Sequence, residues 1–226
     1  MIKIIINGST GKMGQLALKH IQKSTLLVLV ATPARHDNLS AVIKDTRADV
    51  VLDLTNADCV YENTKTIIEA NCSPVIGTSG LTAAKIDELQ QLAKKHNVGG
   101  IIVPNFSIGA VLMMQFSQIA ARHFNDLHII ETHHLDKKDK PSGTARRTAE
   151  LMAAEKNIAY NEIFIESKRT ADAVAAQDVI FKTPYESLTI SHNSTSRESF
   201  MPGLVLACEK AANLNDLVVG LEHLFK

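Results

Sequence analysis

The first hundred residues alternate short runs rich in Ile and Val with helix-patterned stretches, and this rhythm restricts the chain to a parallel sheet covered by helices. Strand-like runs fall at residues 3–7, 26–31, 50–54, 74–76 and 100–103, while helical periodicity occupies 12–24, 39–44, 59–70 and 83–96. At least two successive βαβ units follow. The stretch 35–48 has room for one small helix only, so the predicted domain is a trimmed version of its type.

Beyond residue 103 the rhythm changes. A helix is predicted over 109–124, a strand over 128–132, a polar segment next, and a helix over 145–155. Strand-like runs at 163–166, 178–183 and 187–192 then predict an antiparallel or mixed sheet, distinct from the parallel first half. Residues 202–225 read as two apolar helical segments interrupted near Asn213 to Asp216, placed to return to the first domain. The expected division is a first domain of residues 1–104 and 203–226 and a second of 105–202.

Charge and composition exclude several classes of partner. The 24 Lys and Arg balance 24 Asp and Glu, so no global field holds this chain on nucleic acid or an anionic membrane, and an anionic ligand must be captured locally. Aromatic residues make up 4% with no Trp, too few for a base-stacking platform. No apolar run is long enough to span a bilayer, and the N-terminal residues enter a strand directly, unlike a signal peptide. Cys59, Cys72 and Cys208 are odd in number and lack a C-x-x-C pair, which predicts buried small hydrophobes in a reducing, cytoplasmic setting.

Gly8-Ser9-Thr10-Gly11-Lys12-Met13-Gly14 follows the first strand and opens a helix, the context of a dinucleotide-binding turn. Gly8 permits the tight turn, Gly11 lets the helix N-terminus approach a pyrophosphate, and Gly14 allows close packing of helix on strand. Thr10 stands where the usual G-x-G-x-x-G has its second glycine. The second strand ends Ala31-Thr32-Pro33-Ala34-Arg35-His36, without the carboxylate that holds the ribose hydroxyls of NAD. Arg35, aided by His36 and Lys12, is suited to the extra phosphate of NADPH, which predicts NADPH as the preferred cofactor with NADH as the alternative.

The segment from Glu131 to Ala145 concentrates the polar chemistry. It supplies two imidazoles, His133 and His134, several ammonium groups including Lys137, and a Pro141-Ser142-Gly143-Thr144 turn before a helix. Ser142 or Thr144 can cap that helix, and N–H groups at Gly143 and Thr144 make an anion site suited to a carboxylate. His133, His134 and Lys137 would surround the same ligand with proton donors and positive charge. Adjacent strand residues point to opposite faces and no third ligand is evident, so no metal is expected.

This segment resembles the E-x-H-H-x-x-K-x-D-x-P-S-G-T-A signature of the dihydrodipicolinate reductase family and meets every fixed position of it. The glycine turn, Asp53-Leu54-Thr55, Gly77-Thr78-Ser79-Gly80, Asn105-Phe106-Ser107-Ile108-Gly109, the stretch from Ile190 to Arg197 and Phe200-Met201-Pro202-Gly203 are also similar to family motifs, in the same order. The stretch Arg169 to Asp178 departs from the family's R-x-G followed by G-x-H, and the acid of the second strand is replaced.

The resemblance implies an α/β fold with a Rossmann-like parallel-sheet nucleotide domain and a smaller α+β domain, bearing a mixed sheet, for substrate binding and oligomerisation. It implies NAD(P)H-dependent reduction of 4-hydroxy-tetrahydrodipicolinate to tetrahydrodipicolinate, on the route to diaminopimelate and lysine, by a homotetramer acting on a small cyclic dicarboxylate. His133 and Lys137 would be catalytic, and His134, Ser142, Gly143 and Thr144 would bind substrate carboxylate. Gly8, Ser9, Thr10, Gly11, Lys12 and Met13 would line the cofactor, with Gly77, Thr78 and Ser79, and with Val103, Pro104, Asn105 and Phe106. Arg35 would sit by the ribose phosphate. Asn105 to Gly109 would act as a hinge. The alternatives are another two-domain NAD(P)-dependent dehydrogenase, or a non-catalytic NADP sensor.

Overall fold

A computed structural model describes residues 1–225. The elements run β1 (Ile2–Asn7), α1 (Lys12–Ile21), β2 (Leu27–Ala31), α2 (Leu39–Thr46), β3 (Val50–Asp53), α3 (Val60–Glu69), β4 (Ser73–Ile76), α4 (Ala83–His96) and β5 (Gly100–Ile102). There follow α5 (Ile108–Ala121), β6 (Asp126–His133), α6 (Gly143–Lys156), β7 (Phe164–Arg169), β8 (Ala175–Lys182), β9 (Ser187–Ser194), α7 (Met201–Lys210) and β10 (Leu217–Val219). The chain forms two compact units: Met1–Phe106 with the segment from Phe200 onward, and Ser107–Ser199.

The first unit is a parallel six-stranded sheet in the order β10-β5-β4-β3-β1-β2. Its central strands are near-continuous Ile and Val because both faces are covered; Ile4, Ile5, Ile6, Val50, Val51 and Leu52 are all fully buried. Each such side chain contributes about 1.5–3 kcal/mol of burial. The chain leaves β1 for β2 on one side and later returns to β3 on the other, so right-handed crossovers put helices on both faces. Accordingly α1 packs with α7, while α2, α3 and α4 pack in series. The short helix expected between β2 and β3 is present as α2, capped by Asn38, whose side chain accepts from the Ala41 N–H at 3.1 Å.

One expectation fails here. The second apolar segment near the C-terminus is a strand: Leu217, Val218 and Val219 pair in parallel with β5, and Leu217 joins the core. Three residues bounded by Asp216 and by Gly220 at φ +109° are too short for a stable helix, and the sheet edge supplies the missing backbone partners.

The second unit is a four-stranded mixed sheet, order β7-β6-β8-β9, with β6 parallel to β7 and the other pairs antiparallel. Helices α5 and α6 pack on each other and meet the sheet through β6, β8 and β9. Alternation along β6 buries Leu127, Ile129 and Glu131 on the covered side and leaves His128, Ile130 and Thr132 on the other. Phe164 of β7 pairs with His128, its ring centroid 4.8 Å from the imidazole, and is 64% exposed. Strands β7 and β8 are longer than expected: β7 continues to Arg169 and β8 begins at Ala175. The altered stretch after Arg169 is therefore a short turn, tied to β6 by the Thr170 N–H to His133 carbonyl bond at 3.0 Å, and then strand.

Candidate active site

In the first unit, the loops at the carboxyl ends of β1, β3 and β4 meet where the strand order reverses, the place where open α/β sheets receive ligands. Gly8 adopts φ +89°, and a Cβ there would lie 2.6 Å from the Leu54 carbonyl oxygen, so no other residue fits without displacement. A Cβ on Gly14 would lie 2.2 Å from the Gly8 carbonyl oxygen, which packs α1 against the turn itself rather than against the strand. Gly11 differs. It precedes α1, and an added Cβ would meet protein only at 3.5 Å, leaving its side open to a ligand. Ser9 is largely buried, Thr10, Gly11 and Lys12 are exposed, and Met13 is half-buried. This turn fits a pyrophosphate at a helix N-terminus.

Behind the turn lies Asp53, fully buried at the end of β3. Its carboxylate accepts from Asn7 Nδ2 at 3.0 Å, Asn63 Nδ2 at 2.8 Å, Thr55 Oγ1 at 2.7 Å and Thr78 Oγ1 at 2.6 Å. One side chain thus ties together the residue before Gly8 and the Gly77-Thr78-Ser79 loop. Gly77 is needed because a Cβ would lie 2.5 Å from the Phe106 ring. Val103 and Phe106 are buried, so their side chains belong to the core, whereas Ser79 and Pro104 are exposed and Asn105 is half-buried. Arg35 is exposed on a turn in which the Asp37 carboxylate accepts the Ala34 N–H at 2.8 Å.

In the second unit, β6 ends at His133 and the chain reaches α6 within nine residues, through 134–142. Ser142 decides the capping question: its hydroxyl accepts from the Ala145 N–H at 3.2 Å and is 2% exposed, so it shapes the helix terminus from within. Gly143 is exposed, and an added Cβ would meet nothing within 4 Å. The Thr144 carbonyl accepts from Thr148 Oγ1 at 2.8 Å, and Thr148 accepts in turn from buried Gln177 at 2.8 Å, which braces this first turn against β8. Lys137 Nζ lies 2.9 Å from the Asp139 carboxylate, which this contact holds below its ordinary pKa. His134 is half-buried, and its carbonyl accepts from the Lys137 N–H at 3.2 Å.

His133 Nδ1 is hydrogen-bonded to Glu131 Oε2. Burial is the main influence on this ring and pushes its pKa down, as do Lys137 and Arg169, while Glu131 works in the opposite direction. Burial alone would push the Glu131 carboxyl up, but hydrogen bonds from Ser167, Arg169 and His133 outweigh it and hold the group ionised. On β9, His192 Nε2 lies 3.1 Å from Ser107 Oγ, and a Cβ on Gly109 would lie 2.9 Å from that ring.

Glu131, Arg169, Asp53 and His192 were not among the expected site residues. The period of two along β6 was the available signal for Glu131, since residues 131 and 133 share a face. Arg169 required knowing that β7 lies beside β6 in a register that pairs it with His133. Among the described residues no group of three or more His, Cys, Asp or Glu is placed to hold a metal, and no helix is long and apolar enough to cross a membrane.

Comparison with known proteins accords with this architecture. The family model described as dihydrodipicolinate reductase, N-terminus, matches residues 2–106, and that described as dihydrodipicolinate reductase, C-terminus, matches residues 109–225. The 4-hydroxy-tetrahydrodipicolinate reductase of Legionella pneumophila (strain Lens) is 47% identical, covering 98% of each chain. That of Coxiella burnetii (strain RSA 493) is 41% identical, covering 99% of each. The dipicolinate-bound dihydrodipicolinate reductase from Paenisporosarcina sp. TG-14 superimposes with a TM-score of 0.90 at 34% identity over 99% of both chains. An amine dehydrogenase from Mycobacterium smegmatis, at 11% identity and a TM-score of 0.68, shares the fold alone. With both halves matched and identity above 40% across nearly the whole length, the chain belongs to the dihydrodipicolinate reductase family.

Proposed function

We propose that this protein reduces 4-hydroxy-tetrahydrodipicolinate to tetrahydrodipicolinate with a pyridine nucleotide, in diaminopimelate and lysine biosynthesis. Beside the family relationship, the observation that carries this reading is the 131–145 segment. It brings an imidazole bound by a buried carboxylate, a lysine and an open helix N-terminus into one stretch of the second unit. The domain expected at residues 1–104 and 203–226 binds the nucleotide, and that expected at 105–202 binds substrate and forms the oligomer.

The Gly8 to Met13 turn, with the loops at Gly77 to Ser79 and Val103 to Phe106, would hold the nucleotide, and Arg35 would meet its 2′-phosphate. NADPH is accordingly the preferred cofactor. When bound, the reduced nicotinamide supplies the hydride. The chain does the rest. Gly143 and Thr144 present the α6 N-terminus to a substrate carboxylate, with His134 beside it, and Ser142 fixes that terminus by capping it. Loss of the C4 hydroxyl as water leaves a conjugated ring; as that ring accepts hydride, His133 delivers a proton from Nε2, and the Lys137 ammonium offsets developing negative charge.

A homotetramer is the assembly this reading implies, supported by the sheet face bearing Ile130 and exposed Phe164. The three free thiols suit a cytoplasmic location. The decisive experiment is NADPH oxidation by the purified protein coupled to dihydrodipicolinate synthase. Absorbance loss that depends on the synthase product supports the reading; cofactor binding without turnover would leave a sensor. A native mass of four chains would support the assembly.

A further inference from the structure

Besides the hydrogen bond from Ser167, the carboxylate of Glu131 meets a different partner at each oxygen. Oε2 takes the hydrogen bond from His133 Nδ1, and Oε1 takes Arg169 Nη1 at 2.9 Å. Arg169 then reaches out of β7 to the loop after His133: Nε donates to the Lys137 carbonyl at 3.1 Å and Nη2 to the Asp139 carbonyl at 2.7 Å. The guanidinium therefore connects the strand that carries the histidine to the loop that carries the lysine. Both members of the pair are shielded, Glu131 fully and Arg169 at 8% side-chain exposure.

We propose that Glu131 and Arg169 are positioning residues, which fix the proton-carrying nitrogen of His133 and the placement of the Lys137 loop as one unit. The proposal rests on the roles given above to His133 and Lys137. An ionised Glu131 accepts only, so Nδ1 keeps its hydrogen in both charge states of the ring and Nε2 alone exchanges a proton. The carboxylate also stabilises the imidazolium against the burial that opposes it. The charged groups facing the ring are Glu131 on β6, Arg169 on β7 and Lys137 on the loop; its neighbour on β8 is Ala175, which carries none. Buried ion pairs are commonly replaceable by apolar residues without loss of stability, so stability alone does not account for this one.

Two sets of measurements test this. In the unsubstituted protein with NADPH bound, ¹⁵N shifts of His133 should report the Nδ1–H tautomer in the neutral form; an Nε2–H tautomer would overturn the proposal without any variant. Glu131→Gln should lower kcat by ~10²–10³ with substrate KM within a few-fold and cofactor Kd unchanged. The limb of the kcat/KM profile on which activity falls as pH rises should move to lower pH, because the charge that raises the His133 pKa is gone. Arg169→Lys keeps a cation beside Glu131 but loses the fork, so it should raise KM for the dicarboxylate about tenfold, lower kcat, and leave that limb in place. If Glu131→Gln does not fold, the Glu131→Gln/Arg169→Gln double variant leaves no unpaired buried charge and should show the limb shifted in the same direction but by less, because Arg169 itself lowers the ring's pKa. An unmoved limb with near-native kcat, in whichever variant folds, overturns the proposal. Full activity of His133→Gln would instead remove the acid–base reading, and the tautomer measurement would still decide the role of Glu131.

Discussion

Asp53 Oδ1 accepts the Thr78 hydroxyl at 2.6 Å, so a buried carboxylate at the end of β3 holds the loop that follows β4. The same carboxylate takes Asn7, the residue before the glycine turn. Asp53→Ala would leave buried donors without partners, and a destabilisation of ~1–3 kcal/mol is expected, read as a lowered Tm. At a temperature where the variant stays folded, NADPH Kd should rise at least about tenfold, ~1.4 kcal/mol, while KM for the dicarboxylate stays within a few-fold. Unchanged NADPH affinity would separate this hub from the cofactor site.

The proposed preference for NADPH rests on Arg35. Titration should show NADPH binding at least as tightly as NADH, and Arg35→Ala should weaken NADPH by roughly tenfold to a hundredfold with NADH little affected, as for loss of a charge-assisted hydrogen bond. A firm NADH preference that survives the substitution would show that the phosphate lies elsewhere.

Gly143 offers a clean separation of folding from binding. No protein atom lies within 4 Å of an added Cβ, so Gly143→Ala should leave Tm unchanged or slightly raised. A substrate carboxylate at the α6 N-terminus would meet that methyl, and KM for the dicarboxylate should rise at least about fivefold with NADPH Kd unchanged. Thr144→Val should act in the same direction, by roughly tenfold to a hundredfold if its hydroxyl bonds the carboxylate. Native KM in both variants would move the carboxylate away from this terminus.

The proposed catalytic roles of His133 and Lys137 separate by kinetics. His133→Gln should lower kcat by ~10²–10⁴ with KM within a few-fold, as for a group acting in the transition state. Lys137→Ala should lower kcat too, and raise KM if the ammonium also touches a ground-state carboxylate. Stopped assays at saturating NADPH and substrate, on protein with a native circular dichroism spectrum, make the comparison.

Acidification should weaken the second unit through its histidines. Burial depresses the His192 pKa in the folded chain below its ordinary value of 6.5, and His133 is shifted the same way. A depressed folded value means the unfolded chain binds the proton more readily, so this stability is complete above about pH 6.5 and is lost as pH falls through the folded value. Thermal melts at pH 7.5 and 5.5 should show a lower Tm at the acidic end, and His192→Gln should show a smaller drop. Equal drops in both proteins would assign the effect to other groups.

Local pattern determined much of this protein. Period-two alternation, near-continuous Ile and Val strands and intervening helical periodicity specify a parallel sheet because burial on both faces requires them, and Gly8 is legible because only glycine accepts its positive φ. The 131–145 motif marked His133, Lys137 and the α6 N-terminus as candidates because their chemistry lies within a few residues. Strand β10 was misread because three apolar residues carry no period, and its partner β5 lies more than a hundred positions earlier. The same limit applies to the site's supports. That Arg169 reaches both Glu131 and the Lys137 loop depends on β7 lying beside β6, and that Asp53 joins the ends of β1 and β4 depends on strand order. Sequence carries residue chemistry and local spacing, but which distant donors converge on a buried carboxylate is decided only when sheet packing removes water and leaves them as its partners.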